Sequence, residues 1–159
     1  MPSIPHTPTP RADLPLPAPI HLEPWVVLVT GSHLSAETFD RPIAYRLRES
    51  IVRRLRDDEV DHAEARVVVC SDLWYLNQPH LRALPTISLG GPNVSALSAY
   101  LADRLPSVLA VDRVMLIQMD AHAEPPVASI WGIDASSTAG AADAFAERFL
   151  DDFLASLPA

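Results

Sequence analysis

Three short apolar runs in this chain each break off into small polar residues. Val26-Val27-Leu28-Val29 leads into Thr30-Gly31-Ser32-His33, Val67-Val68-Val69-Cys70 into Ser71-Asp72, and Thr86-Ile87-Ser88-Leu89 into Gly90-Gly91-Pro92-Asn93. An apolar run without polar alternation fits a strand buried on both faces, the habit of parallel sheets. In open parallel sheets, ligands bind beyond the carboxyl ends of the strands. The repeated pattern therefore locates a candidate site without naming a ligand.

With 159 residues, 48% of them hydrophobic, the chain has enough apolar mass for one domain with a proper core. Its longest apolar runs are far too short to span a bilayer. No charged segment followed by an apolar one opens it, so no secretory signal is expected and a cytoplasmic location is the default. The single cysteine, Cys70, excludes an internal disulfide framework. A net charge of -8 argues against nucleic-acid binding, which needs a basic face. All 12 basic residues are arginine, which reads as the codon bias of a GC-rich genome. Without lysine there is neither Schiff-base chemistry nor the phosphate lysine of a Walker loop.

Residues 1–24 hold eight of the 16 prolines. Proline fixes φ and lacks an N–H, so an extended, polyproline-like arm is expected there. Leu14, Leu16, Ile20 and Leu22 give that arm apolar side chains with which to dock on its own domain or on a neighbour. Residues 25–159 form the domain.

Within the domain, Trp25–Thr30 reads as the first strand. Asp40 before Pro42 reads as the cap of a helix over 41–56, where Ile43, Leu47, Ile51 and Leu55 recur every four residues. The six arginines on its other positions fit a solvated face. Strands follow at Ala65–Cys70, Thr86–Leu89, Arg113–Met119 and Val127–Ile133. Asn93 reads as the cap of a helix ending near Pro106, and Ser136, Ser137 or Thr138 as the cap of a last helix carrying Phe145, Phe149 and Phe153. The link Asp120–Pro126 is too short for a parallel crossover and predicts an antiparallel hairpin. The order gives a three-layer α/β sandwich of flavodoxin- or Rossmann-like type. It comprises a mostly parallel five-stranded sheet, an antiparallel edge hairpin and three main helices.

Candidate chemistry lies at the three strand ends. Gly90-Gly91-Pro92-Asn93 stands between a strand and a helix, where glycines let N–H groups approach an anion. A tight turn needing glycine explains the same residues. Neither GxGxxG nor GxxxxGK[ST] is present. Gly31, Ser32 and His33 end the first strand, ahead of a long loop, where Ser32 can bind a ligand hydroxyl and His33 can move a proton. Asp72 is the foremost acid or base. Trp74 and Tyr75 behind it either clamp a flat ring or pack as a hydrophobic flap. The expected site comprises Asp72 and His33 as catalytic groups, with Gly31, Ser32, Tyr75, Gly90, Gly91 and Asn93 binding the ligand. Cys70 reads as a buried thiol, and Asp120, His122 and Glu124 as hairpin-turn polarity, so no metal site is expected and no cofactor is named.

Two functions fit. One is a small domain, enzyme or binder, for a phosphorylated or nucleoside-like molecule, with a small anionic ligand as its partner. The other is an assembly module, joined to a second copy or another protein through the arm and Trp74–Tyr75. Neither nucleic acid nor a membrane is an expected partner.

Overall fold

The computed structural model describes residues 23–157. The expected contacts of the N-terminal arm therefore fall outside the described residues.

The domain is α/β, built on a six-stranded mixed sheet in the order β2-β1-β3-β6-β5-β4. Strand β1 (Val26–Thr30) is central and wholly buried. It pairs in parallel with β2 (Val67–Ser71) on one side and β3 (Thr86–Leu89) on the other. Strand β6 (Val127–Gly132) continues the parallel part beside β3.

Alternate residues of β1 face opposite sides of the sheet, as the pleat dictates. Val26 and Leu28 join one core cluster with Ile43, Leu47 and Ile51 of α1 (Arg41–Asp57) and Phe145 of α5 (Ala135–Arg148). Val27 and Val29 join a second cluster with Tyr75 of α2 (Asp72–Leu76), Leu81 of α3 (Pro79–Arg82), and Leu97 and Leu101 of α4 (Ala96–Leu101). The chain thus passes from β2 to β3 across β1 by two short helices.

The sheet has one strand more than expected. Strand β4 (Ser107–Val111) lies at the edge and pairs antiparallel with β5 (Met115–Asp120), which in turn pairs antiparallel with β6. The hairpin expected across Asp120–Pro126 is therefore the β5–β6 pair, but it is not the edge of the sheet. Strand β4 is mostly exposed and carries no buried face for periodicity to reveal. The β4–β5 turn uses Arg113 at φ 55 in place of the usual glycine or asparagine signal.

Helix boundaries moved for local reasons. The last helix is capped by Asp134 in a capping box with Ser137, and it breaks at Phe149 into α5 and α6 (Leu150–Leu154). Phe145 and Phe153 still meet edge to face, 6.0 Å between centroids. Helix α4 is capped by Ser95, not Asn93. A π-helical segment, Ala36–Asp40, leads directly into α1, so Asp40 has helical dihedrals and makes no cap hydrogen bond.

The arginines of α1 behave mostly as a tethered surface. Arg46 pairs with Asp143, Arg54 with Asp151, Arg56 with Glu64, and Arg41 with Glu37, while Arg48 donates to the Val67 carbonyl. No helix among the described residues is long and apolar enough to cross a membrane.

Candidate functional site

The three strand ends meet. Asp72, 4% exposed, is the link between them. Its Oδ1 accepts from the Ser32 hydroxyl at 2.5 Å and from the Leu73 N–H at 2.7 Å, and its Oδ2 accepts from the Ala96 N–H at 2.8 Å. One carboxylate thus ties the loop after β1 and the start of α4 to the end of β2. Gly31 is pressed against the same junction, where a Cβ would collide with the Val94 carbonyl oxygen.

These bonds occupy several N–H groups around the turn, while those of Gly91 and Asn93 have no hydrogen-bond partner among the described residues. The Val94 and Ser95 N–H groups both donate to the Gly91 carbonyl, the Gly90 N–H to Ile130, and the Ser98 N–H to the Ser95 hydroxyl. Ala96 donates to Asp72, and Pro92 has no N–H to give. The Asp72 carboxylate thus binds the first residue of α4, beyond the glycine-rich turn itself.

Other expected site residues are placed differently. Tyr75 is buried in the second core cluster, and its hydroxyl meets Thr86 Oγ1 at 3.1 Å, at the start of β3 and not its end. His33 is exposed, with Nδ1 2.7 Å from the Ser35 hydroxyl. Trp74 is 59% exposed on α2. Cys70 is buried, and burial pushes its thiol up to about 11, with Arg41 acting in the opposite sense. The Asp120 carboxylate accepts from the His122 and Ala123 N–H groups, a turn-forming role, and no metal-ligating cluster occurs among the described residues.

The group that sequence reasoning cast only as a cap is Asp40. Released from capping by the π-helical segment, its side chain turns against Gly90. It is 7% exposed and has no hydrogen-bond or ion-pair partner among the described residues. Burial raises its carboxyl above the ordinary aspartate range. Gly90 is required here twice over. Its φ is +99°, and a Cβ would lie 2.5 Å from Asp40 Oδ2. The signals in the sequence were the length of the Gly31–Asp40 lead and the Gly90-Gly91 pair, read separately.

Asp40 lines a cleft of about 400 Å³ beyond the carboxyl ends of β3 and β6, within the size range of small-molecule sites. Gly91, Pro92, Asn93 and Val94 form one wall, and Trp131 with Ile133 and Asp134 another, while Phe39 and Ser35 complete the rim. The Asp134 carboxylate is occupied in capping α5. Arginine, histidine and cysteine are missing from the lining among the described residues. Larger hollows of about 650 and 660 Å³ lie at the opposite end of the sheet around His122. Asp40 makes the smaller cleft the stronger chemical candidate.

No protein-family model and no curated protein matches the chain.

Proposed function

We propose that this chain is a small-molecule-binding domain of three-layer α/β type, with its site in the Asp40 cleft and a nucleoside-like ligand. The observation that carries this reading is the carboxylate of a mostly buried residue, without a hydrogen-bond partner among the described residues and with its oxygens open to a cleft at the carboxyl ends of parallel strands. Burying a carboxylate without partners is costly, and a chain that keeps one gains when a ligand supplies the missing donors. Trp131, Phe39 and Pro92 offer flat apolar surface for a ring. Support is weaker for the phosphate end of such a ligand, since the cleft lining carries two carboxylates and no arginine among the described residues. Proton transfer by Asp40 is the enzymatic form of the proposal, since burial raises its carboxyl above the ordinary aspartate range and makes it a better base.

The test is a nucleoside titration followed by amide and indole resonances of the protein. Shifts at Gly91, Asn93 and Trp131 support the proposal, and no response to any nucleoside overturns it.

A second reading is assembly. Leu34, Leu73 and Trp74 stand exposed after β1 and β2, at 79%, 60% and 59%. Exposed large apolar side chains mark interaction surfaces when they are contiguous. Trp74→Ala together with Leu73→Ala lowers the measured oligomeric mass on this reading, and an unchanged mass rejects it.

A further inference from the structure

We infer that the ligand of the Asp40 cleft presents two adjacent, coplanar N–H donors to the Asp40 carboxylate, as a guanine base or a guanidinium group does. The inference rests on the proposal that this cleft is the site.

Asp40 has two acceptor oxygens and no donor of its own once ionised. Within the described residues no side-chain hydrogen bond or ion pair reaches them, and Oδ2 packs against Gly90. The vacancy is therefore one for donors. A metal ion would need further ligands, and no cluster of three metal-ligating side chains occurs among the described residues. The nearest second carboxylate in the lining, Asp134, already accepts from the Ser137 N–H and hydroxyl, both at 2.7 Å. A phosphate or carboxylate ligand would meet two acidic side chains and no arginine.

Paired N–H donors fit the remaining chemistry. A carboxylate binds two parallel N–H groups in a fork that fixes both distance and plane. The 1-imino and 2-amino groups of guanine make such a pair, and so does a guanidinium. Adenine and cytosine set an acceptor beside their donor, which would face a carboxylate oxygen. Hypoxanthine has the ring N–H but lacks the amino group. Pro92 and Trp131 in the lining offer flat apolar surface on which a planar group can stack.

Calorimetric titration of the full chain with guanosine, inosine, adenosine and agmatine tests this. Guanosine or agmatine is expected to bind at least about tenfold tighter than inosine and adenosine, the size of effect one lost charge-assisted hydrogen bond gives. Agmatine binding alone assigns the fork to a guanidinium, and guanosine binding alone assigns it to a base. In Asp40→Asn the preference should vanish, because one oxygen becomes a donor. Gly91→Ala, whose Cβ meets nothing closer than the Trp131 ring, should keep the fold and weaken binding by narrowing the cleft. Inosine or adenosine binding as tightly as guanosine overturns the paired-donor inference and leaves the cleft as a nucleoside site. No binding by any of the four overturns both.

Discussion

The carboxyl of Asp40 packs against Gly90 so closely that a Cβ on the glycine would lie 2.5 Å from Oδ2. One of these residues ends the π-helical segment before α1, and the other directly follows β3. Their contact joins two segments fifty residues apart at the point where the cleft opens. The one donor of Gly90, its N–H, is already bonded to the Ile130 carbonyl.

Gly90→Ala should therefore destabilise the fold by about 1–3 kcal/mol, the usual scale for a non-glycine residue forced into a sparsely populated backbone region. Chemical denaturation checks it. Adding Asp40→Ala removes the collision but not the positive φ, so stability should recover only in part. Full recovery would show that backbone strain contributes nothing.

Asp40→Asn should stabilise the domain at neutral pH. An aspartate whose folded-state pKa is raised costs stability above that value and nothing once both states are protonated. The gain should grow as pH rises through the ordinary aspartate value of 3.8 toward the raised one, and vanish below it. Thermal melts of both proteins from acid to neutral pH measure this. A gain confined to acid pH would mean the sign is wrong.

Asp72 should behave differently. Its carboxylate accepts three hydrogen bonds from three segments, so Asp72→Ala removes all of them and strands the Ala96 N–H. A loss of about 2–4 kcal/mol is expected from bonds to a charged group of which part is offset by water. Denaturant unfolding of the variant reads it. Unchanged stability would return Asp72 to the role of a free acid or base.

Cys70 should be inert in the native protein. A buried thiol pushed up to about 11 holds little thiolate at pH 8. Iodoacetamide should label it slowly in the folded chain and rapidly in denaturant, followed by mass spectrometry. Fast native labelling would reveal an opening of the β2 end.

How much of this was legible beforehand differs by element. Strands β1 and β2 were visible because Val26–Val29 and Val67–Val69 are apolar without alternation, the mark of burial on both faces, while β3 alternates Thr86, Ile87, Ser88 and Leu89 and was bounded by Pro85 and Gly90. That pattern also pointed to the edge where Ser32, Asp72 and Ala96 meet. Strand β4 was invisible because Ser107–Val111 lies at an edge and is mostly exposed. Tyr75 was misplaced at the strand ends because a short helix turns its ring under the sheet, toward Thr86. Asp40 read as a cap because Pro42 follows it. Only the extra π-helical turn, which no local propensity marks, frees its carboxyl for the cleft.

The central claim is that the Asp40 cleft holds the ligand, and it is tested most directly by titrating the ¹⁵N-labelled chain and its Asp40→Asn variant with guanosine. The account predicts shifts at the Trp131 indole N–H, Gly91 and Asn93 in the native chain, and at least about tenfold weaker binding in the variant. Shifts confined to the hollow around His122, or equal binding by both proteins, would contradict it.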